Sequence, residues 1–395
     1  MRFALVRHPT LRRILPGLLV SALGDGMSLV GVAWLAVEIA PPAEAGIWTG
    51  LAVAAYALPA TVGAALLARP MRSLRAAQLV AADAWLRAVT LGAVALLAVD
   101  NQLTPLPYVI LLALSSLLHA WGHGGTYSLI AELLPDEDRV AGNALVSTFQ
   151  QAAIVVGPAL AGVLAAVAGP GWVLAADAAS FAVLALSCRL VPPGPPPPPP
   201  ESGGWRTILD RPQLLALVVV TCVFFFLYGP VEVALPIHIA QDLHGSARLL
   251  GLYWTVFGVG ATVGALSAAT LKNRPPWRVI VVVIIGWGVT LLPLALTDAI
   301  LPGLIGLAFG GLIYGPFNAI VTALFQRATP PEALSRVLAT RAALTIPATA
   351  LGTLLGGPLV TALGARPTLL ASALLTIALG IGVAVARRAS QPPGL

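Results

Sequence analysis

The chain has 395 residues, 58% of them hydrophobic and 10% charged, with a formal net charge of +6. A soluble domain carries roughly a quarter of its residues as charges, so this composition excludes an ordinary water-soluble enzyme or binding module. The positive balance does not point to nucleic acid, because the basic residues form no patch and follow the spacing of the apolar runs instead.

Those runs lie at about 14–39, 46–68, 76–99, 105–131, 141–168, 171–190, 212–240, 248–271, 278–297, 300–326, 336–363 and 366–386. An apolar run of about 20 residues crosses roughly 30 Å of hydrocarbon as a helix. All but four of the 22 Lys and Arg residues fall at the termini or in every second gap; Arg248 and Arg366 sit in the other gaps, and Arg87 and Arg341 inside runs. Basic segments stay on the cytoplasmic side during insertion. The expected fold class is therefore an all-α integral membrane protein of twelve transmembrane helices, numbered here as spans 1 to 12, with both termini cytoplasmic. The gaps holding Glu44, Asp100, Asp242 and Asp298 face outward. Anionic lipid head groups are the expected partners of the cytoplasmic arginines. The apolar stretch behind Arg12 and Arg13 is too long for a signal-peptide core and reads as a retained first span. Cys188 and Cys222 show neither metal-ligand spacing nor a disulfide framework.

Span 1 carries Ser21, Asp25 and Ser28, spaced four and three apart and so on one helical stripe. A lone charge in hydrocarbon costs roughly 2.5–3.5 kcal/mol on insertion scales, which makes intramembrane ionisable groups functional candidates. Asp25 lies some ten residues into its span and is a candidate for proton coupling, weighed against a hydrogen-bonded packing role. In span 3, Asp83 and Arg87 stand four apart in the favourable acid-first order and read as a structural pair. Span 4 aligns Ser115, His119, His123 and Thr126 beside Gly122, Gly124 and Gly125. Two histidines four apart could hold a metal, but no acidic or cysteine partner lies nearby in sequence, so a cavity-lining or proton-responsive role is expected and no metal site. Span 5 offers Ser147 and Gln151 on one face, with Gln150 adjacent, then Gly157-Pro158.

Between spans 6 and 7 the residues at 195–200 are all proline. Successive prolines force polyproline II, a short stiff spacer. The expected organisation is a six-helix bundle over 1–190, a cytoplasmic linker over 191–211 and a second six-helix bundle over 212–395. The halves read as pseudo-repeats. Gly157-Pro158 of span 5 recurs 200 residues on as Gly357-Pro358 of span 11, and each of spans 4 and 10 ends in a proline-acid-arginine segment. Two such halves are a transporter signature, with a substrate site near the midplane where the halves meet.

In the second half, span 7 carries Thr221, Tyr228 and Glu232 on one stripe with Phe225 between. Glu232 matches Asp25 by repeat offset and is the second proton-coupling candidate, weighed against simple solvation near the outer end of its span. Trp254 and Phe257 of span 8, Tyr314 and Asn318 of span 10 and Arg341 of span 11 complete the candidate cavity. Arg341 has no local acidic partner and is expected to balance a carboxylate elsewhere or to attract an anionic substrate. Polar stripes on six spans favour a lined cavity over interhelical hydrogen bonding alone. No phosphate loop, zinc-protease motif or nucleophile elbow is present, so enzymatic chemistry and cofactors are not expected.

The chain resembles the major facilitator superfamily, most of all the bacterial branch of enterobactin-exporter-like and macrolide-efflux-like proteins. The resemblance covers essentially the whole chain. It rests on Ser21-Ala-Leu-Gly24-Asp25, Ala131-Glu132-Leu-Leu-Pro135, Gly142-Asn143-Ala144, Gly315-Pro316-Phe317-Asn318 and Ser335-Arg336-Val337. Gly157-Pro158-Ala-Leu-Ala-Gly162 is similar to the antiporter motif of that superfamily, with Ala153 and Ala161 where the fuller motif has glycine. The loop after span 2 keeps Arg69 and Arg72 of the family pattern but lacks its aspartate. The resemblance implies a monomeric, proton-coupled exporter of hydrophobic or amphipathic small molecules in a bacterial inner membrane. Gly157, Pro158, Gly357, Pro358, Arg69, Arg72 and Arg336 would serve its conformational change. A lipid or lysolipid flippase, a nutrient importer of the same fold, and a non-transporting receptor or scaffold are the alternatives.

Overall fold

A computed structural model of the chain describes residues 9–71, 73–192, 204–271, 273–330 and 333–389. Arg72 and the proline run at 195–200 lie outside the described residues. Among those described, the chain is helical and contains no strand. Twelve segments are long and apolar enough to cross a membrane: Thr10–Ile39, Pro42–Leu66, Ala76–Val99, Pro105–Leu133, Glu137–Ala168, Pro170–Cys188, Pro212–Asp242, Ala247–Ser267, Pro276–Leu296, Ile300–Ala328, Arg336–Leu363 and Ala365–Arg388. They coincide with the twelve runs read from sequence. A helix satisfies its own backbone, which hydrocarbon cannot do.

Two helices start earlier than their apolar runs, for reasons the sequence supplies. The first begins at Pro9, a residue suited to the opening turn, and exposes Arg12 and Arg13. The fifth begins at Asp136, and Glu137 and Asp138 lie in its first turn, at the positive end of the helix dipole. Spans 4 and 10 are each broken at matching places. Span 4 consists of Pro105–Ser116 and His119–Leu133; span 10 consists of Ile300–Tyr314 and Phe317–Ala328. Pro316, without an N–H, sits at the second break. Span 2 anchors both sides of the first: Ser116 Oγ donates to Ala55 O at 2.9 Å and Trp121 Nε1 to Gly63 O at 3.1 Å.

The helices gather into two compact units, one of Met1–Pro42, Leu51–Pro200 and Ser246–Thr255, the other of Ala43–Gly50, Glu201–Gly245 and Val256–Leu395. In the first unit, span 1 packs on spans 5 and 6, and span 3 on spans 4 and 6. In the second, span 7 packs on spans 11 and 12, and span 9 on spans 10 and 12. The same four pairings recur six spans later, which is the packing counterpart of the repeated Gly-Pro motif. Tyr108, Leu112, Leu174 and Phe181 belong to the first unit's core. Trp287, Phe224 and Phe317 are fully buried in the second.

The motif residues that close span 4 have structural work. The Glu132 carboxylate lies against the backbone N–H of Ala76, the first residue of span 3. Arg139 Nε donates to the carbonyls of Ala131 and Leu134 at 3.0 and 3.2 Å, satisfying carbonyls left open at the end of the helix.

Candidate functional site

A cavity of about 340 Å³ opens within the first unit, lined by spans 1, 3, 4, 5 and 6. Its polar wall is Ser21, Asp25, Asp83, His119, His123, Thr126 and Gln150; Phe149, Phe181, Leu18 and Leu29 supply apolar wall. That volume and mixture suit a small molecule.

Asp25 is the centre of the site. Its side chain is 40% exposed, whereas that of Arg87 is 1% exposed. Arg87 Nη1 donates to Asp25 Oδ1 at 2.7 Å. Tyr56 Oη donates to the same oxygen at 3.1 Å and lies 3.2 Å from Arg87 Nη1. The guanidinium is held between two rings, 5.3 Å from the centroid of Tyr56 and 4.9 Å from that of Phe181. Asp83 Oδ1 comes within 3.5 Å of Arg87 Nε without hydrogen-bond alignment. The expected local pair is present, and Arg87 makes a shorter bond to Asp25 as well. Arg87 serves Asp25 first, because its fork reaches across to span 1 while the one-turn spacing leaves only Nε beside Asp83. Gly122 makes room for Asp83: a Cβ there would strike its carboxyl.

The remaining span 1 and span 4 candidates divide. His119 and His123 both line the cavity, their rings 6.0 Å apart, with His123 edge-on to Tyr127 at 5.3 Å. His119 Nδ1 stands 3.9 Å from Asp83 Oδ2. Among the described residues no group of three or more His, Cys, Asp or Glu could hold a metal ion. Ser21 lines the cavity and donates to Leu18 O at 3.2 Å. Ser28 does not line it; it is fully buried and bonded to Asp177. On span 5 the two glutamines divide with respect to this cavity. Gln150 lines the cavity, 3.4 Å from Tyr127 Oη, whereas Gln151 and Ser147 are exposed. One residue is a rotation of about 100° on a helix, enough to move a side chain off the wall.

In the second unit, Glu232 Oε2 accepts a hydrogen bond from Thr353 Oγ1 at 2.9 Å. Phe225, Tyr228, Phe257 and Tyr314 join Phe224, Trp287 and Phe317 in a continuous aromatic cluster. Phe257 and Trp254 are buried, and Trp254 lies in the segment that clusters with the first unit. Arg341 Nη1 donates to Thr322 at 3.1 Å, Nη2 to Asn318 at 3.4 Å, and the head lies over Phe325 at 5.3 Å. Its partners are neutral side chains.

The Gly-Pro motifs do not interrupt their helices. Asp136–Ala168 runs through Pro158, and Leu334–Leu363 through Pro358. Gly157 instead lets span 5 lie against Gly26 and Met27 of span 1, next to Asp25: a Cβ at Gly157 would sit 2.8 Å from Met27 N. Gly357 does the same for the opening turns of span 2, its own Cβ falling 2.9 Å from Gly46 O. Arg69 is exposed, and the Arg336 carbonyl accepts from Thr340 at 2.8 Å.

Two residues of the cluster, Tyr56 and Asp177, had not been singled out. The rule that found Asp25, an ionisable residue deep in a span, applies equally to Asp177. Tyr56 carries no charge and gave no signal.

A family model described as Major Facilitator Superfamily matches residues 14–345 and 217–394. The chain is 28% identical to the multidrug efflux pump Tap of Mycobacterium tuberculosis over 387 residues, 93% of this chain and 91% of that protein. It is 27% identical to the enterobactin exporter EntS of Citrobacter koseri over 317 residues, 74% of each. A bacterial homologue of the human lysosomal transporter Spinster, solved in an inward-facing and occupied conformation, superposes with a TM-score of 0.73 at 12% identity, covering 95% of this chain and 96% of that one. The family match, twelve membrane-spanning helices and bacterial relatives agree: the chain belongs to the Major Facilitator Superfamily, as a multi-pass transporter of the bacterial inner membrane.

Proposed function

We propose that this protein is a proton-coupled exporter of a hydrophobic or amphipathic small molecule, working by alternating access. The observation that carries the reading is the Asp25–Arg87 bond in the cavity of the first unit, with one partner open to the cavity and the other sealed behind it. A proton arriving from outside neutralises Asp25 and removes the charge that holds Arg87 in place. A neutral carboxyl is cheaper to occlude than a charged one, so protonation biases the equilibrium between the two access states. Phe149 and Phe181 offer the substrate apolar contact, and Gln150, Thr126, His119 and His123 offer hydrogen bonds. Glu232, bonded to Thr353, is a second carboxyl of the same kind in the other repeat. The relatives named as efflux pump and exporter support the outward direction.

The test is proton flux in acid-loaded everted vesicles, across hydrophobic cations, macrolides, siderophores and lysolipids. Wild type releases protons when its substrate is added, and Asp25→Asn binds that substrate but neither releases protons nor concentrates it. Uphill transport by Asp25→Asn at the wild-type rate would sink the coupling role. Translocation of lysolipids without proton release would favour a flippase.

A further inference from the structure

The two arginines that lie inside spans are held in opposite ways. Arg87 of span 3 meets the carboxylates of Asp25 and Asp83. Arg341 of span 11 forms no ion pair among the described residues. Its Nη1 donates to Thr322 Oγ1 at 3.1 Å and its Nη2 to Asn318 Oδ1 at 3.4 Å, and the guanidinium stands 5.3 Å from the centroid of Phe325. Its ionisable neighbours are a phenol and a thiol, Tyr314 and Cys222. Glu232, the carboxyl of span 7 in the same unit, is bonded to Thr353 instead.

Neutral oxygens orient a guanidinium but do not cancel its charge, and an uncompensated charge within a span is costly. Snorkelling toward water would relieve that cost. The side chain does not take this course. Asn318 stands just after the break in the middle of span 10, so the guanidinium reaches toward the middle of that span rather than its end. Nor is the group sealed away: Arg341 and Thr322 are half-buried and Asn318 is exposed. The fixed fork is the geometry that suits a carboxylate or phosphate, and bonds from a cation to an anion are about twice as strong as neutral ones.

The surroundings say what such an anion is attached to. Asn318 Nδ2 lies 3.4 Å from Tyr314 Oη. Tyr314 stacks on Phe317 with centroids 6.0 Å apart, and Phe225 meets Phe317 edge-on at 6.2 Å. Phe317 is fully buried, whereas Tyr314 and Phe225 are half-buried and retain surface for a ligand. An anion receptor therefore adjoins an aromatic one.

We infer that Arg341, positioned by Thr322 and Asn318, recognises an anionic group (a carboxylate, sulfonate or phosphate) on the transported molecule, whose apolar body rests on Tyr314 and Phe225. The inference rests on the exporter reading above and narrows its substrate to amphipathic organic anions.

Fluorescence titration of the purified full-length protein, in nanodiscs of phosphatidylcholine at neutral pH, tests it with two probes that differ in charge alone, 1-pyrenebutyrate and 1-pyrenebutanol. Wild type should bind the acid at least about tenfold more tightly than the alcohol, the worth of one charge-assisted contact. Arg341→Gln should bind the two alike, with the alcohol's Kd unchanged, and should unfold at the wild-type temperature or above because the unpaired charge is gone. Arg341→Lys should keep part of the preference, as a point charge without the fork. Asn318→Asp, which sets a carboxylate beside the intact arginine, should also abolish the preference and covers the case in which Arg341→Gln fails to fold. Equal affinities in wild type, or a preference that survives in Arg341→Gln or Asn318→Asp, would overturn the inference. Loss of the wild-type preference on adding phosphatidylglycerol would assign the site to a lipid head group and overturn the substrate role. Failure of the antiport reading shows elsewhere, as the absence of substrate-driven proton release in vesicles while the charge preference in binding persists.

Discussion

Arg87 of span 3 lies 2.7 Å from Asp25 of span 1, closer than the 3.5 Å to Asp83, its neighbour one turn back on the same helix. The tightest ion pair of the first unit's cavity therefore joins two helices rather than bracing one. A bond of that kind reports on the relative position of the helices, and a proton on Asp25 weakens it.

Removing Arg87 leaves two carboxylates facing a buried site without their cation. Arg87→Met is expected to destabilise the protein by about 3–5 kcal/mol, because breaking one side of a buried pair strands the other. Adding Asp25→Asn to that variant should restore part of the loss. Thermal unfolding of the purified protein in detergent reads both effects. A single variant as stable as wild type would show that the pair contributes nothing to the fold.

The two glutamines of span 5 separate wall from surface. Gln150 lines the cavity and Gln151 is exposed. Gln150→Ala should weaken substrate binding by about 1 kcal/mol, the loss of one hydrogen bond and roughly a fivefold change in Kd. Gln151→Ala should leave Kd unchanged. The reverse order in a binding titration would place the substrate on another face of span 5.

How far sequence reaches is clear from these same residues. The spans were legible because a membrane helix needs an uninterrupted apolar run and basic residues mark alternate gaps, both of which are local patterns. Stripes such as Asp25 with Ser21, or His119 with His123, were legible for the same reason: helical spacing is written along the chain. The Asp25–Arg87 bond was not, because an acceptable partner for Arg87 already stood four residues away and concealed the better one 62 residues away. Which of Gln150 and Gln151 faces this cavity is a matter of helix phase, which spacing alone does not fix to one residue. The burial of Trp254 and Phe257 is not written in their chemistry, because burial is a property of the assembled helices.

Glycines on the two sides of that assembly should behave oppositely. Gly157 abuts the Gly26 and Met27 backbone, so Gly157→Ala must push spans 1 and 5 apart next to Asp25. It should lower Tm and abolish active transport. Gly124 has no atom within 4 Å of the position a Cβ would take. Gly124→Ala should be neutral or stabilising by up to about 1 kcal/mol, the helix-propensity gain. Equal losses in both variants would mean that helix flexibility, rather than close approach, is what these glycines provide.

Glu232 and Thr353 offer the corresponding test in the second repeat. Thr353 Oγ1 donates to Glu232 Oε2 at 2.9 Å, and the carboxyl is half-buried. Glu232→Gln keeps an oxygen that can accept this bond, so its stability should stay within about 0.5 kcal/mol of wild type. Thr353→Val keeps the shape and deletes the donor, leaving the carboxylate short of a partner at a cost of about 1–3 kcal/mol. If Glu232 carries a proton in the transport cycle, Glu232→Gln must also lower the number of protons released per substrate molecule, while Thr353→Val, which retains the carboxyl, must not. Proton-to-substrate counting in liposomes distinguishes the two. An unchanged ratio in Glu232→Gln would leave the first unit's carboxyls as the proton carriers and make Glu232 a packing residue of the span 7 and span 11 contact.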